Sequence, residues 1–511
     1  MAHRLAAEMT AGPESVPVKL FRGYDRVARG MLTASAVTGG FENDRVSSGV
    51  RVQVCETLSD LADALDIDAS LSVSYLKAVD VTAKMEFARK LNVTARSVTI
   101  VVYARHGIGT WDAKDVTLKP NAKAPTDDAS AKAFVKTYGD SFIRSVTLGG
   151  EYFAVFIFNT ETREQQQKLA ASLKGEGIGA ATVTAEAQTK LTNFLKTTKT
   201  SWTLKQEMTG IVDPDYPDQD RLIPFALGFS KLPLDGPVVT NIEVTGYEDV
   251  DGFGDSFAKV VDNRAYFLDP DDGLLRYLAR LTAARSQVAW LKRIYARYDY
   301  HGDSALVAFE GKVDGEIKSI NGQIADWKSS AVRAFVRPQM KALDAGEPVL
   351  AFHEAASPVW GGSGSGPWKV DSVGDLIRNR TRIKSIQLAT GRFNGRDLLG
   401  RLIVEYDSDK RGWTESYGDG ELKVIQPRLD LEEGQFPTDF EVRHGSMVDW
   451  LKIRLGDGLS TEAGGGGGAA QAWSVPAGHV VVGFAGRSGA AIDQLQIRMA
   501  RLDPAKMTRS D

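Results

Sequence analysis

Apolar and polar positions alternate with two different periods along this chain, and the texture changes near residue 357. Upstream, helix and strand patterns are mixed. Residues 56–66 (ETLSDLADALD) put Leu58, Leu61 and Leu65 on one helical face, with Thr57 or Ser59 available as the cap. Strands are predicted from Val16 to Phe21, over 71–75 and over 98–103. A short helix is predicted around 129–137. A long strand follows over 141–158, and its last part is apolar on both faces, as a central covered strand is. Residues 161–175 and 180–197 read as helices, and 200–211 as a strand. Residues 273–297 read as an amphipathic helix rich in Leu, Ala and Arg, and about 313–345 as a second helical stretch. The Gly-rich stretch EAASPVWGGSGSGP at 354–367 reads as a linker or domain start, and only short strands and turns follow. The chain is therefore divided into an α+β unit over 1–350, a linker and domain start over 351–366, and an all-β unit over 367–511.

The all-β unit repeats itself. Gly445-Ser-Met-Val-Asp449-Trp-Leu451-Lys-Ile453-Arg matches Gly489-Ala-Ala-Ile-Asp493-Gln-Leu495-Gln-Ile497-Arg. A weaker copy, offset by one residue, starts at Gly395 and runs through Leu399, Leu402 and Val404. Each copy is a Gly turn feeding an alternating strand, and three such units predict a pseudo-threefold prism. The five-glycine run Gly464 to Gly468 reads as a flexible connector without a function.

Two upstream segments satisfy both periods. Read as a strand, Val79, Val81, Ala83, Met85 and Phe87 share one face, against Asp80, Thr82, Lys84 and Glu86 on the other. After Arg89-Lys90, Leu91, Val93 and Ala95 resume the apolar row. In the second segment Leu169, Ala171 and Leu173 share a face. Gly175-Glu-Gly177-Ile-Gly179 makes a tip, and Ala181, Val183, Ala185, Ala187 and Leu191 follow. Apolar-out, polar-in alternation over about 9–11 residues is what one strand of a membrane barrel needs. The same residues also fit ordinary amphipathic helices, since Val183, Ala187, Leu191 and Leu195 recur every four.

At 511 residues the chain is too long for one ordinary core. Its charge is nearly balanced, 62 Lys and Arg against 66 Asp and Glu, which gives no basic stripe for nucleic acid. One cysteine, Cys55, rules out an intramolecular disulfide, and with 6 His little is left for a structural metal site. The N-terminus has no apolar core of a signal peptide, and no window reaches the roughly 18 apolar residues of a membrane helix. The expectation is a protein made in the cytoplasm without a signal peptide and released by a non-classical route. No catalytic pair, phosphate loop or metal spacing stands out, so no enzyme activity, metal or cofactor is expected. Asp251-Gly-Phe253-Gly254-Asp255 is Gly-rich but lacks the strand–helix context of a ligand loop.

Residues 361–501 resemble the jacalin-like lectins. The resemblance is carried by Gly361-Gly362-Ser-Gly364-Ser-Gly366-Pro-Trp368, Tyr417-Gly418-Asp419-Gly420, and the closing segment from Val480 through Gly486-Arg487-Ser488-Gly489 to Asp493 and Leu495. It implies a β-prism whose sugar loop reads Gly-x-x-x-Asp, with Gly361, Gly362, Arg487 and Ser488 beside it. The Asp carboxylate accepts bonds from two sugar hydroxyls, and backbone N–H groups kept open by Gly donate. Gly489 to Asp493 fit that loop, as do Gly445 to Asp449, with Ala490 and Ala491 where an aromatic residue often stacks. The alternative is that both Asp residues merely cap turns.

Tyr138-Gly139-Asp140-Ser141-Phe142-Ile143, then Leu148-Gly149-Gly150-Glu151-Tyr152, resembles the signature of the membrane attack complex/perforin family, and Ser70 to Leu76 looks like its microbial branch. The resemblance spans about 15–350 and is clear over 55–210. The usual Thr-His is replaced by Asp140-Ser141. It implies a bent antiparallel sheet flanked by two helical clusters, each of which unrolls into a membrane hairpin, with Gly149-Gly150 at the bend rather than in a simple bulge. A soluble monomer would bind a glycan or glycosylated receptor on the target-cell plasma membrane. It would then join a homo-oligomeric ring whose barrel closes because lipid offers no partner to an open strand edge. The layout is similar to that of bacterial insecticidal proteins. The alternative is a non-lytic lectin or adhesion protein whose hairpins never insert.

Overall fold

In this computed structural model, residues 19–508 are described apart from 29, 45–47, 66–86, 89–90, 92, 95, 161–162, 180–182, 184–185, 199, 201, 254, 270–272 and 410–411. The N-terminal unit is built on β1 (Gly23–Asp25), β2 (Gly30–Met31), β3 (Val37–Asp44), β4 (Gly49–Cys55), β5 (Ser97–Leu118), β6 (Ser141–Asn159), β7 (Trp202–Thr209) and β8 (Val238–Gly246). They form one antiparallel sheet. β5 and β6 are its spine, in register from Ser97↔Asn159 to Asp112↔Ser145. β4 and then β3 flank β5; β7 and then β8 flank β6.

The spine is apolar on both faces because both faces are covered. Val98, Ile100, Val102, Ala154, Phe156 and Phe158 pack under the helices Arg163–Gly175, Glu186–Thr197 and Leu222–Gly228. The alternate positions Val101, Tyr103, Phe153, Val155 and Ile157 pack under the helix Leu58–Ala64 and under Phe87 and Leu91. Each large side chain buried this way stabilises the fold by about 1.5–3 kcal/mol. The first helix starts where its cap predicts: Thr57 accepts the Asp60 N–H and Asp60 returns the bond.

Glycines cluster where the register of this sheet slips. The β5–β6 register slips between Gly107 and Gly109, opposite Gly149. At the same level β4 gives way to β3 and β7 to β8, since β4 pairs from Arg105, β3 from Thr110, β7 up to Glu151 and β8 from Gly149. A Cβ at Gly149 would collide with the His106 carbonyl, and one at Gly210 would sit 2.5 Å from the Gly150 Cα.

Three expectations need correction. Of the strand expected from Val16 to Phe21, residues 16–18 lie outside the described residues and 19–21 form a turn; the first strand is β1. The second long helix is Ser304–Ser329, not 313–345. Asp303 caps it by accepting the Leu306 N–H at 3.0 Å. Its Gly311, Gly315 and Gly322 each cost about 0.5–1 kcal/mol relative to Ala. Burial of Leu306, Phe309, Val313, Ile317, Ile320 and Ile324 against the helix Leu274–Arg297 offsets that cost. Finally, of the linker and domain start expected over 351–366, residues 351–356 are strand, because they pair with the last strand of the prism.

That prism comprises β9 (Glu347–Ala356), β10 (Trp360–Gly361), β11 (Gly366–Pro367), β12 (Arg382–Phe393), β13 (Arg396–Asp407), β14 (Trp413–Tyr417), β15 (Leu422–Ile425), β16 (Leu429–Asp430), β17 (Pro437–His444), β18 (Val448–Leu455), β19 (Ser460–Gly464), β20 (Ala469–Ser474), β21 (His479–Ser488) and β22 (Ile492–Thr508). Three sheets result: β9, β10, β11, β21 and β22; β12 to β16; β17 to β20. Their inner faces meet in one core that includes Trp360, Leu388, Leu402, Phe440, Leu451, Phe484 and Leu495. β9 pairs with β22 from Glu347↔Thr508 to Ala356↔Arg498. The prism is docked on the helix Leu274–Arg297. Buried Tyr298 donates its hydroxyl to the Thr381 carbonyl at 2.7 Å, with the Leu376 carbonyl 3.2 Å away, and Arg297 pairs with Asp407 and Glu433, both at 2.7 Å.

Candidate glycan-binding site

Asp493 opens β22, directly after the turn that leaves β21. Gly489 donates its N–H to the Ala491 carbonyl at 3.1 Å, which makes the turn tight. The loop between β10 and β11 folds over the carboxylate. Gly361 has φ 93, and a Cβ there would collide with the Asp493 carbonyl. Gly362 donates its N–H to that same carbonyl at 2.9 Å. A Cβ at Gly364 would lie 2.7 Å from Asp493 Oδ1. Only glycine backbone therefore fits around the acid. Asp493 is 8% exposed, and its Oδ2 has no hydrogen-bond partner among the described residues. A buried carboxylate oxygen without a partner is an acceptor that a ligand hydroxyl would satisfy.

Arg487 and Ser488 hold the frame. Arg487 donates to the carbonyls of Gly364 (2.9 Å) and Ser365 (2.7 Å), pinning the glycine loop. Ser488 Oγ accepts from the Trp368 indole N–H at 2.8 Å, and Trp368 stacks on Tyr417 with centroids 3.8 Å apart. Burial pushes the Tyr417 phenol well above its ordinary range, so it stays neutral. A third wall comes from the second sheet, where the N–H groups of Asp419 and Gly420 donate to the carbonyls of Gly489 (3.0 Å) and Ala490 (3.1 Å).

The same construction surrounds Asp449, which stands near the start of β18. Gly445 donates to the Met447 carbonyl at 3.0 Å, and Gly465 donates to the Asp449 carbonyl at 2.8 Å. Gly464 has φ 124, and a Cβ there would collide with that carbonyl. A Cβ at Gly467 or Gly468 would lie 2.5 Å from Asp449 Oδ1 or Oδ2. The five-glycine run is therefore not a free connector; it is the cradle of a second carboxylate, equivalent to Gly361 to Gly364. The equivalent position in the second sheet is blank. There Gly418 has φ 89 and crowds the Gly400 carbonyl, so Gly400 stands where the other two copies carry Asp. Arg396 stands where they carry Gly, which explains the one-residue offset of the weak repeat.

The two carboxylate loops touch. Gly361 donates its N–H to His444 Nδ1 at 3.3 Å, and a Cβ at Gly362 would lie 2.7 Å from the Ser446 carbonyl. Both sites thus open at one end of the prism.

The expected membrane hairpins fall elsewhere. Val79, Val81, Ala83 and Met85, and Ala181 and Ala185, lie outside the described residues. Phe87 and Leu91 are buried and Val93 is half-buried on one face of the sheet, with Phe87 stacked on Phe153 at 5.7 Å. Leu173 and Leu191 are buried, and Leu169, Val183 and Ala187 half-buried, on the other. Leu169 and Leu173 lie on one helix, Ala187 and Leu191 on the next. Tyr138 ends the helix Asp128–Tyr138 and Gly139 caps it at φ 81, just before β6; Gly149 and Gly150 lie at the register slip. Among the described residues no helix is long and apolar enough to cross a membrane, and no cluster of His, Cys, Asp and Glu could hold a metal ion.

Comparison with known proteins bears on the prism. Residues 357–498 match the family described as the Jacalin-like lectin domain. Among solved structures, the wild-type Malaysian banana lectin is similar at 20% identity, covering 30% of this chain and 99% of its own, with a TM-score of 0.25. A mannose-binding jacalin-related lectin from Ananas comosus is similar at 18% identity (29% and 96%, TM-score 0.24). So is the Calsepa lectin in complex with a biantennary N-glycan, at 16% (30% and 98%, TM-score 0.24). No curated protein matches the chain. With three sheets around one core and the family match over 357–498, the C-terminal part of this chain is a jacalin-like lectin domain.

Proposed function

We propose that this protein is a lectin-guided pore former: the prism binds surface glycans through Asp493 and Asp449, and the N-terminal unit inserts two hairpins per subunit into the target membrane. The observation that carries the membrane half is how the helical clusters are strung. β4 ends and β5 begins at one edge of the sheet, where Cys55 faces Thr99. β6 ends and β7 begins at that same edge, where Phe158 faces Trp202. The segment 56–96 joins the first pair and 160–201 the second. Each pair is already antiparallel, so unrolling the two segments lengthens both pairs in the same direction without rethreading the chain. Both contain the dual-period residues, and they cover opposite faces of the spine. Strands that leave the sheet edge in this way can satisfy their backbone in lipid only by joining those of neighbouring subunits in a closed barrel.

The glycan half rests on two acidic cradles of the same construction at one end of the prism. A carboxylate ringed by glycine backbone suits vicinal hydroxyls, which donate to it while backbone N–H groups donate back. Release of a trapped dye from liposomes made with target-cell glycolipids tests the whole reading. Leakage that needs both the glycolipid and the intact chain supports it. Binding without leakage at any protein concentration would leave a non-lytic lectin.

A further inference from the structure

The turn Tyr138–Gly139–Asp140 joins four elements: β1, the start of β6, the end of β8 with the single turn Tyr247–Asp249 after it, and the helix Ala258–Leu268. Asp140 is completely buried there. Its Oδ1 accepts the Arg26 backbone N–H at 3.1 Å and the Ser141 hydroxyl at 2.9 Å. Its Oδ2 has no hydrogen-bond partner among the described residues.

The two guanidiniums nearby are aimed elsewhere. Arg264, from the helix, donates to the main-chain carbonyl of Asp140 at 2.8 Å and pairs with Glu248. Arg26 donates to the Val244 carbonyl at 3.3 Å. On the β1 side stands Asp25, whose carboxylate caps the N–H groups of Val27 (3.0 Å) and Ala28 (2.6 Å). The groups facing this joint are thus Asp25 from β1, Arg26 after it, Glu248, Asp249 and Tyr247 from the turn, Tyr138, and Arg264 from the helix. A charge on Asp140 would be buried with one oxygen unsatisfied and a second acid close by, an arrangement that costs free energy unless a proton is bound.

We propose that this joint is a proton-operated brace: with a proton on Asp140 at mildly acidic pH the ends of β1, β6 and β8 are held firmly together, and loss of that proton at neutral pH loosens them. Burial, helped by Asp25 and opposed by Arg264, pushes the Asp140 carboxyl up to about 6. The folded state therefore binds the proton more tightly than the unfolded chain does. Stability is gained as pH falls through about 6 and is lost as pH rises through it. The brace does not depend on the pore-forming reading, because it concerns the protein before it meets a membrane.

The test is the unfolding temperature of the full chain between pH 4.5 and 8, for the natural sequence and for Asp140→Asn, whose amide resembles the protonated acid. The expected result is the smallest gap at pH 4.5, widening in favour of Asp140→Asn as pH rises to about 6 and level above it. Parallel curves would overturn the proposal. Asp25→Asn gives a second arm should Asp140→Asn not fold: it keeps the caps of Val27 and Ala28 and removes the like charge, so the inflection should move to lower pH. An unmoved inflection would overturn the proposal as well. Hydrogen exchange over β1 and the last residues of β8, corrected for the intrinsic rate, should show less protection at pH 7.5 than at pH 5.5 in the natural sequence, and equal protection counts against the brace.

Discussion

Gly465 donates its backbone N–H to the Asp449 carbonyl at 2.8 Å, as Gly362 does to the Asp493 carbonyl at 2.9 Å. These bonds fasten a glycine loop over each acid, one arriving earlier in the chain than its Asp and the other later. The two sites are thereby predicted to act as separate units of the same kind.

Asp493→Ala and Asp449→Ala should each weaken glycan binding, and the double substitution should abolish it. A charge-assisted hydrogen bond to a hydroxyl contributes about 1.5–3 kcal/mol, so each single change is expected to lower affinity by roughly tenfold to a hundredfold. Glycan-array titration and calorimetry check this. Wild-type affinity in the double mutant would remove the glycan assignment.

Position within the glycine run should matter sharply. Gly467→Val crowds the Asp449 carboxylate, whereas a Cβ at Gly466 meets nothing within 4 Å. Gly467→Val should therefore silence the Asp449 site on an Asp493→Ala background, and Gly466→Ala should leave it unchanged. A loose connector would tolerate both equally.

For the membrane step, Val183→Arg puts a charge against lipid at a cost of about 2–4 kcal/mol per subunit near the midplane, while Thr184→Arg faces water. Val183 is half-buried beside the sheet in the soluble form, so folded yield is measured alongside. Among folded protein, leakage should be lost with Val183→Arg and kept with Thr184→Arg. Equal leakage would mean the segment does not line a barrel. A reversible crosslink from the helix Glu186–Thr197 to β6 should block leakage until reduced.

At the docking contact, Tyr298→Phe removes the hydroxyl that the buried Thr381 carbonyl accepts, while the Leu376 carbonyl keeps the Thr381 N–H at 2.9 Å. Leaving one such acceptor unsatisfied costs about 1–3 kcal/mol. The denaturant midpoint of the full chain should fall accordingly. An unchanged midpoint would show that the contact adds nothing to stability.

Much of this was legible in the sequence, for identifiable reasons. β6 showed itself through apolar residues on both faces, and the helix Leu58–Ala64 through its cap, because both signals are local. The Gly445 and Gly489 repeats aligned because their turns and acids are conserved in spacing between the copies. What escaped depended on partners distant in sequence. The five-glycine run looks like a connector until the folded chain brings Asp449 beside it. β9 looked like linker because its partner, β22, lies at the far end of the prism sequence. The start of the helix at Ser304 was hidden by its glycines, which only packing against the helix Leu274–Arg297 makes tolerable.

The β9–β22 pairing also decides how the prism bears load. The chain enters it at Glu347, beside Thr508, whereas Asp493 lies at the opposite end of β22. A pull between the N-terminal unit and a sugar held at Asp493 therefore runs along the strands and slides them past one another. Their bonds then share the force together instead of opening one by one from an end. A tether strained in this direction yields late, as the proposed pore former would require while the rest of its chain rearranges.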